Sequence, residues 1–417
     1  MLYQEIKKCR ICDNENLVSI LNLGNQALTG VFPSEGEVIE IGPLEIVKCF
    51  SEDKDKSCGL LQLKHNYEME KLYGDNYGYR SGLNKSMVRH LEDIVAKIEK
   101  TINLEDEDLI IDIASNDGTL LASYKNTKLD LLGIDPTVTK FKTYYPDYID
   151  HVADFYSEKI VKLARGDKKA KVVTSISMFY DLPLPLLIMR EIVNVLDDEG
   201  IWVVEQSYMP NMINNTSYDT ICHEHLEFYA LRQFKWMADK ADLKIIDIEF
   251  NDTNGASFCL TLAKKNSSYK EASDKINEFL NNEEKNGFND LDIYQKFKEH
   301  SEQHAAKLKN TLLELKKNGG KIFGYGASTK GNVLLQYCGL TKEDIPFIAD
   351  VNEYKHGRFT PGTMIPIISE DEAKKLKPDY FLVLPWHFKK NIIEREDVFI
   401  KNGGKLIFPL PEIEIIG

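Results

Sequence analysis

The sequence predicts an α/β protein with two separate doubly wound sheets and a small cysteine-bearing module in front of them. Two strand–turn patterns predict the sheets, because a short apolar run enters a turn of small residues at 109–121 and again at 320–332. Four of the seven cysteines lie within the first 58 residues, and this clustering predicts the module. The expected divisions are the module at 1–70, the first sheet domain at 71–265, a helical connector at 266–318 and the second sheet domain at 319–417.

Composition favours a cytoplasmic protein with ordinary hydrophobic cores. The 417 residues are 43% hydrophobic and 28% charged, with a formal net charge of −14 at pH 7. Such an acidic chain argues against a nucleic-acid partner, since those proteins present a basic surface. The apolar runs are shorter than the ~20 residues that span a bilayer, and the N-terminus lacks a signal-peptide core. We therefore expect no nucleic-acid or membrane partner, and a monomer or small homo-oligomer.

The cysteines of the N-terminal module have the spacing of a structural zinc site. Cys9 and Cys12 form a CxxC pair, and Cys49 and Cys58 follow with a long loop between them. Four thiolates close a tetrahedral zinc site, and a module this small needs such a cross-link to fold. A thioredoxin-like redox pair is the alternative, but no βαβ pattern surrounds Cys9. We therefore expect Zn²⁺ as a structural metal held by all four thiolates.

The first strand–turn unit carries acids and amides where a dinucleotide fold carries glycines. Leu109–Ile111 is typical of a buried strand, and the turn at 114–118 has one glycine instead of G-x-G-x-x-G. Carboxylates repel a pyrophosphate but attract the ammonium and sulfonium groups of S-adenosylmethionine (SAM). A helix is expected from Thr119. The predicted SAM-contacting residues of this unit are Asp112, Ala114, Ser115, Asn116, Asp117 and Gly118.

Later strands of the same region extend the predicted SAM site. An acid at the end of the second strand binds ribose hydroxyls in such units, and Asp135, followed by Pro136, lies about twenty residues beyond the turn. Asp154 and Phe155 follow the third strand, where they would approach an adenine, and Phe179 follows the fourth. Seven predicted strands, with the last two close together, favour the class I methyltransferase sheet over a dehydrogenase sheet.

The stretch richest in reactive side chains lies between the fifth and sixth predicted strands, at 217–229. Cys222, His223, Glu224 and His225 follow one another there, and a helical arrangement would place Cys222 and His225 on one face. A His-x-His pair with a cysteine is able to bind a metal, but the zinc-protease spacing H-E-x-x-H is absent. The functional interpretation is a general base oriented by a carboxylate, because imidazole accepts protons at neutral pH.

A second strand–turn–helix pattern predicts an anion site in the C-terminal domain. Backbone N–H groups, hydroxyls and Lys330 at a helix N-terminus suit a phosphorylated ligand, although the turn is not a Walker A motif. Tyr325 or Trp386 is expected to stack on a base, and the charged helices at 266–318 are interpreted as a solvated spacer. The predicted ligand-binding residues of this domain are Gly324, Tyr325, Gly326, Ala327, Ser328, Thr329, Lys330, Asn332, Asp350, Lys355 and Trp386.

Taken in order, these motifs resemble the sugar C-methyltransferase family, which acts on nucleotide-linked deoxysugars, over essentially the whole chain. The resemblance implies a SAM-dependent C-methyltransferase of deoxysugar biosynthesis, whose substrate is a dTDP- or other NDP-linked 4-keto-6-deoxysugar. The matching segments are the four-cysteine module, Tyr-Arg-Ser-Gly at 79–82, Ser-Asn-Asp-Gly-Thr-Leu-Leu at 115–121, His-Glu-His-Leu at 223–226 and Gly-Tyr-Gly-Ala-Ser-Thr-Lys-Gly-Asn at 324–332.

The resemblance also implies roles for individual residues. His225 is the base that removes the proton next to the ketone, with Glu224 beside it, and Tyr79 approaches the sugar. Two positions differ from many members, because Cys222 replaces a tyrosine and Tyr180-Asp181 replaces a histidine. These differences keep two alternatives open, which are epimerisation without methyl transfer and O-methylation. The substrate-facing residues, in addition to those of the C-terminal domain, are Tyr79, Arg80, Ser81, Asp181 and His223, and Cys222 joins the catalytic residues.

Overall fold

A computed structural model describes residues 2–53, 56–73 and 79–417, without the side chain of Asn254. Residues 74–78, which open the predicted ligand-facing loop, lie outside the described residues. The described part of the N-terminal module contains five strands and one short helix. They are β1 (Tyr3–Glu5), β2 (Leu17–Ala27), β3 (Ile41–Cys49), β4 (Leu61–Leu63), β5 (His65–Tyr67) and α1 (Met69–Leu72).

The central domain alternates helices and strands after the first helix. That helix begins at the cap residue Asn84, whose side chain accepts the N–H of Ser86 at 3.0 Å, and it buries an apolar stripe from Met87 to Ile98. The elements are α2 (Lys85–Thr101), β6 (Leu109–Ile113), β7 (Asp130–Ile134), α3 (Val138–Phe141), β8 (Ile149–Val152), α4 (Glu158–Arg165), β9 (Ala170–Ile176), α5 (Pro185–Val195), β10 (Leu196–Ser207), α6 (Met209–Asn214), β11 (Glu227–Phe228), α7 (Leu231–Lys240), β12 (Leu243–Asn251) and β13 (Ser257–Lys264).

The central sheet confirms the class I methyltransferase prediction. Within the described chain its seven strands have the order β12-β13-β10-β9-β6-β7-β8, with β13 antiparallel to both neighbours and the other pairs parallel. Every residue of β6 is buried, as expected for a parallel strand covered on both faces. The strand order reverses between β6 and β9, and open sheets of this kind bind ligands at such a point.

The expected helix after β6 is wrong, because only a single 3₁₀ turn forms, at Leu121–Ser123. The turn before it uses left-handed backbone at Ala114, Asn116 and Gly118, with φ of 59°, 52° and 77°. Directly after it, Tyr124 is buried in the core with an extended backbone, φ −69° and ψ 131°. Anchoring Tyr124 in this way ends the helical geometry after one turn.

Two helices, α8 (Ser273–Lys285) and α9 (Asp292–Lys317), connect the central and C-terminal domains. The solvated-spacer interpretation is wrong, since α9 buries Tyr294, Phe297, Leu308 and Leu312 in the main hydrophobic core. In α8 the Glu283 carboxylate is buried and accepts hydrogen bonds from Tyr208 and from two backbone N–H groups at the start of α7. The helices are therefore packed structural elements.

The C-terminal domain confirms a second Rossmann-like sheet. Its six strands in the described chain have the order β16-β15-β14-β17-β18-β19, all parallel except β19. None of the described helices is long and apolar enough to cross a membrane. The elements are β14 (Ile322–Tyr325), α10 (Thr329–Tyr337), β15 (Ile348–Asp350), β16 (Ile367–Ser369), α11 (Glu370–Lys375), β17 (Tyr380–Val383), α12 (Lys389–Arg395), α13 (Asp397–Lys401), β18 (Lys405–Phe408) and β19 (Glu414–Ile416).

Candidate active site

The four N-terminal cysteines form one cluster. Their sulfur atoms all lie within 4.8 Å of one another, with Cys9 and Cys58 3.4 Å apart and Cys12 and Cys49 3.5 Å apart. Tetrahedral thiolates about 2.3 Å from Zn²⁺ are about 3.8 Å from each other, so the cluster has the size of a zinc site. The Asn14 amide also donates to Cys49 Sγ at 3.3 Å, as groups around thiolate ligands do. These residues fit a structural Zn²⁺ that joins the Cys9–Cys12 turn to the end of β3.

The predicted SAM turn lies at the carboxyl ends of β6 and β7 and is held in a fixed shape. The Asn116 N–H donates to Asp135 Oδ2 at 2.9 Å, and the Thr137 N–H and hydroxyl donate to Asp135 Oδ1 at 2.6 and 2.5 Å. At Gly118, a Cβ would lie 2.9 Å from the Tyr145 ring, so the position needs glycine for space as well as for φ. Asp135 therefore holds the shape of the turn, and its predicted contact with a ribose stays a prediction.

The loop at 79–82 is bonded directly to this turn. The Asn116 side chain accepts the Ser81 N–H at 2.9 Å and donates to the Tyr79 carbonyl at 3.3 Å. Asp117 Oδ2 accepts the Gly82 N–H at 2.9 Å and lies 3.6 Å from Arg80 Nε. Asn116 and Asp117 are both predicted to contact SAM, and in the structure their side chains anchor the loop. Tyr79 as a residue is 47% exposed, whereas burial raises the pKa of its hydroxyl.

The other predicted SAM-contacting residues differ in their burial and position. Asp112 is buried at the end of β6, accepts the Thr174 hydroxyl at 2.6 Å, and has its pKa raised to about 7 by burial. Asp154 is exposed after β8, and its side chain accepts the Phe155 N–H at 2.8 Å. Phe179 does not lie at the site, because it is fully buried against core aromatics. Ala114, Ser115 and Pro136 lie on the two turns that follow β6 and β7, and Ser115 bonds to Tyr145.

The segment with two histidines, residues 222–228, is not helical. A one-turn 3₁₀ helix at Tyr218–Thr220 precedes it, and the segment then turns into β11. Strand β11 pairs antiparallel with β4 of the N-terminal module, so the segment joins that module's sheet, which has the order β11-β4-β3-β2 in the described chain. We call residues 222–225 the His-Glu-His box. The helical expectation is wrong because this pairing extends the chain immediately after the box.

His225 has the geometry of a general base. Its Nδ1 lies 2.9 Å from the Thr220 carbonyl, which only accepts, so Nδ1 carries the proton and Nε2 keeps its lone pair. The Tyr180 ring packs edge-on against the imidazole, 4.5 Å between centroids. Burial, and then the positive charge of Lys330, lowers the pKa of His225 to about 4. The imidazole is therefore neutral at physiological pH. Its ring is also partly exposed, and it borders a small cavity. Residues lining that cavity are Tyr180, Ser207, Met209, Met212, Thr220, His225, Glu227 and Phe228.

His223 and Glu224 face away from this cavity. His223 is fully buried, with Nδ1 3.2 Å from the Thr29 hydroxyl and its ring edge-on to Tyr67. Glu224 is also buried and accepts the Thr29 hydroxyl at 3.4 Å, and burial raises its pKa. The predicted substrate contact of His223 and the predicted orienting role of Glu224 are therefore not supported by the arrangement. The group that orients His225 is the Thr220 carbonyl.

The two positions that differ from the family pattern, Cys222 and Asp181, lie in one buried cluster with Glu224. Cys222 is fully buried, and burial, followed by the Glu224 and Asp181 carboxylates, raises the pKa of its thiol. Asp181 Oδ2 accepts the Tyr73 hydroxyl at 2.7 Å, and burial raises the pKa of Asp181. Asp181 Oδ1 has no hydrogen-bond partner among the described residues. This cluster is next to His225, because Asp181 follows Tyr180, whose ring packs against the imidazole, and Cys222 lies three residues before His225.

The C-terminal turn is stabilised mainly by its own contacts. The Ser328 hydroxyl caps α10 by accepting the Gly331 N–H at 3.0 Å. Asp350 accepts the Ala327 N–H at 2.6 Å, and Lys355 donates to the Ala327 carbonyl at 2.6 Å. Gly324 and Gly326 leave room for packing, since a Cβ would meet Ile348 or Pro385. Thr329 and Lys330 begin α10, and the Lys330 ammonium interacts with Asp219 and Cys222.

Two predicted ligand-binding residues of this domain, Tyr325 and Asn332, are buried, and a third, Trp386, bonds to the central domain through its indole N–H. Tyr325 is buried in the C-terminal core, and its hydroxyl donates to Glu396 at 2.8 Å, so it does not stack on a base. Asn332 is fully buried and donates to the Thr29 carbonyl at 2.8 Å. The Trp386 indole N–H donates to Asp219 at 2.7 Å, which ties it to the 3₁₀ turn before the box. Strand alternation and domain contact explain these orientations.

Several residues that surround His225 and Asp181 were not predicted from the sequence. Thr220 acts through its backbone carbonyl, which no side-chain pattern identifies. Tyr73 and Tyr180 approach from other segments, and the tyrosines around the 72–84 loop were the available signal for Tyr73. Thr29, between two apolar stretches of the module, carried no signal.

Three family models match successive parts of the chain. A putative zinc binding domain matches residues 9–73, a methyltransferase domain matches 83–248, and the C-methyltransferase C-terminal domain matches 252–411. The curated C-methyltransferase NovU of Streptomyces niveus is 28% identical over 421 residues, which cover 100% of this chain and 98% of NovU.

Solved structures with partial similarity include two proteins bound to SAM or its demethylated product. The plantazolicin methyltransferase BpumL with SAH is 14% identical, with a TM-score of 0.35, over 44% of this chain and 87% of that one. LepI with SAM is 16% identical, with a TM-score of 0.33, over 47% and 51% of the respective chains.

Proposed function

We propose that this chain is a SAM-dependent C-methyltransferase that methylates the carbon next to the ketone of a nucleotide-linked 4-keto-deoxysugar. The matched domains and the full-length relative support the methyltransferase assignment. Carbon methylation requires an acceptor carbon that first loses a proton, so the site must contain a base. The observation that carries the proposal is the Nδ1-protonated His225, whose Nε2 lone pair belongs to a partly exposed ring beside a cavity.

The reaction that we propose begins with proton transfer. His225 Nε2 takes the proton from the carbon next to the ketone, and the electron pair moves onto the ketone oxygen to give an enolate. SAM, when bound, supplies the methyl group that the enolate carbon attacks, with S-adenosylhomocysteine as leaving group. His225 then returns its proton to solvent. The pKa of about 4 means that the base form is present throughout the neutral range.

Lys330 has its proposed favourable effect on the enolate and not on the base. Its positive charge lowers the pKa of His225 and is itself attracted to Asp219 and Cys222, so it belongs to the neighbourhood of the base. A cation here would offset the negative charge that develops on the enolate oxygen. Tyr79, on the loop that is bonded to the SAM turn, is the group that we propose approaches the sugar from the other side.

We propose that the nucleotide lies against the start of α10. The first backbone N–H groups of a helix, with Lys330 beside them, attract a diphosphate. For SAM, the exposed carboxylate of Asp154, which follows β8 at the carboxyl edge of the sheet, suits a cationic ligand. In this proposal the chain has four segments, which are the zinc-binding module at 1–70, the SAM-binding domain at 71–265, the helical connector at 266–318 and the nucleotide-binding domain at 319–417.

The test is His225→Asn. The asparagine amide can still donate to the Thr220 carbonyl, so the variant removes the base while it keeps the local bond. We expect methyl transfer to fall about 10²- to 10⁴-fold, as for loss of a general base, with unchanged SAM affinity by calorimetry. His300→Asn, on the exposed face of α9, is the control and should keep full activity. Near-normal turnover of His225→Asn would refute the base assignment.

Two other reactions are distinguished by further measurements. The Cys222 and Asp181 replacements motivate epimerisation, and O-methylation is the other alternative because it also needs a base. Deuterium uptake into the sugar without release of S-adenosylhomocysteine would indicate epimerisation. NMR of the product separates a C–CH₃ group from an O–CH₃ group. Under the main proposal, a panel of nucleotide-linked 4-keto sugars yields a C–CH₃ product, and both deuterium uptake and methylation are lost in His225→Asn.

A further inference from the structure

The His-Glu-His box is held on both sides of His225 by the N-terminal module. On the preceding side, Thr29, two residues after β2, is fully buried, with its N–H 3.4 Å and its hydroxyl 3.2 Å from His223 Nδ1. The same hydroxyl lies 3.4 Å from Glu224 Oε2. These long polar contacts are made where water is excluded, and unsatisfied buried groups are costly there.

The shape of the module fits the box as closely as its polar groups do. A Cβ on Gly30 would lie 2.1 Å from Glu224 Oε1, so the backbone must approach the carboxylate without a side chain. On the other face of His223, the Tyr67 ring is 4.8 Å away at 86°. The Tyr67 hydroxyl donates to the Pro43 carbonyl at 2.6 Å, which fixes that ring in turn. His223 and Glu224 are therefore enclosed by the module.

On the following side, the module pairs with the chain through β4 and Arg10. The Leu63 N–H donates to the Leu226 carbonyl at 2.8 Å, and β4 continues the ladder with β11. The buried Arg10 guanidinium donates to the Leu63 carbonyl at 2.6 Å and lies 3.5 Å from Glu227 Oε1. His225 is thus the residue between two anchored segments, and it is the one described side chain of the box that is partly exposed.

The same module segment also contacts the C-terminal domain. Asn332 of α10 donates to the Thr29 carbonyl at 2.8 Å. Gln336, one turn further along, accepts the Ala27 N–H at 2.8 Å and donates to the Ala27 carbonyl at 3.3 Å. Helix α10 carries Lys330 in its first turn, the cation whose charge acts on His225. Residues 27–29 therefore fix the box and this helix relative to each other.

We propose that the zinc-binding module is the positioning element of the general base, and that Thr29 is its central positioning residue. The module has no contact with the reacting atoms in this role. Instead it holds residues 223–224 and 226–228, so that Nε2 of His225 is placed correctly. Small displacements of a catalytic group lower rates strongly, and misplacement by about 1 Å can cost about 10²-fold. The proposal rests on the proposed function in that it takes His225 as the base.

The experiment compares Thr29→Val, which removes the hydroxyl at nearly constant volume, with Thr29→Ser, which keeps it. We expect kcat of Thr29→Val to fall at least 10-fold, while KM for the sugar and SAM affinity change less than 3-fold. Thr29→Ser should recover most of kcat. A Thr29→Val enzyme that is less stable but has full kcat would overturn the proposal, because Thr29 would then have only a structural role.

A second readout does not depend on turnover. Histidine ¹⁵N NMR, with the His225 signals identified by their loss in His225→Asn, reports the tautomer and pKa of His225. We expect Thr29→Val to shift these signals and Thr29→Ser to restore them, and unchanged signals would overturn the proposal even if no sugar is turned over. If Thr29→Val does not fold, Asn332→Ala removes one anchor of Thr29 without touching the box, and the same shift is expected from it.

Discussion

His225 owes its proposed reactivity to one backbone atom. The Thr220 carbonyl selects the tautomer, burial and Lys330 keep the ring neutral, and Tyr180 limits its rotation. The motif led to His225 as the proposed base, because a motif is read from side chains. It could not identify Thr220, since any residue has a carbonyl, and it misplaced Phe179 because nothing local distinguishes a core aromatic from a ligand-facing one.

The first prediction at this scale concerns pH. Because the active form of His225 is neutral and its pKa is lowered to about 4, kcat should be constant above about pH 6 and should fall only as pH decreases towards 4. The Lys330 charge contributes to that lowering, so Lys330→Met should move the acid limb to higher pH. The measurement is kcat against pH, with circular dichroism at each pH to exclude unfolding.

The control for this pH profile is Lys401→Met, at a side chain 73% exposed and paired with Asp397. It should leave the acid limb in place. If Lys330→Met also leaves the limb in place, the charge of Lys330 does not act on His225.

At the scale of secondary-structure elements, most strands of the central sheet can be predicted from local sequence. The buried parallel strands of the central sheet are apolar and rich in β-branched residues, so they could be located from local pattern, whereas β16, β18 and β19 of the C-terminal sheet were not predicted. Strand β11 could not, because its two residues become a strand only by pairing with β4, about 165 positions earlier along the chain. The same reason explains why the helical prediction for the box failed.

Helix α9 yields a prediction at this scale. Buried Lys48 of β3 donates to the Tyr294 hydroxyl at 2.9 Å, and that hydroxyl donates to the Phe288 carbonyl at 2.7 Å. We expect Tyr294→Phe to lower the free energy of unfolding by about 1–2 kcal/mol, because it removes two buried hydrogen bonds beside a charge. Urea unfolding measures this change.

Tyr148→Phe is the matched control, since Tyr148 is 41% exposed. Its effect should stay within about 0.5 kcal/mol, as for most surface substitutions. Equal stability of the two variants would show that Lys48 and Tyr294 do not link β3 to α9.

At the scale of the whole molecule, three parts meet around the box. The N-terminal module supplies Thr29 and β4, the central domain supplies the Tyr180 ring, and the C-terminal domain supplies α10. The three parts and their order could be predicted from the motifs. Their contacts could not, because Asn332 and Trp386 lie in a ligand-type motif and yet bond to other domains.

Zinc removal tests this arrangement. Without Zn²⁺ the module should lose its fold, as small metal-held modules do, and the box should lose both anchors. We expect a zinc-free enzyme to lose methyl transfer while it still binds SAM at the central sheet, and added Zn²⁺ should restore turnover. Metal analysis, calorimetry with SAM and the methyl-transfer assay measure the three quantities.

The control for zinc is Cys259→Ser, since Cys259 lies in β13, outside the cluster. It should retain metal and activity. Full turnover of the zinc-free protein would contradict the arrangement.

The short segment 27–30 has a practical consequence for recombining related enzymes. It bonds to the box at one side and to α10 at the other, so a C-terminal domain transplanted from another enzyme carries half of an interlocking contact. A hybrid protein must therefore exchange Asn332 and Gln336 together with residues 27–30 and the box, or keep all of them native. The domain boundaries along the sequence, where such hybrids would be joined, do not coincide with the surfaces at which the domains make contact.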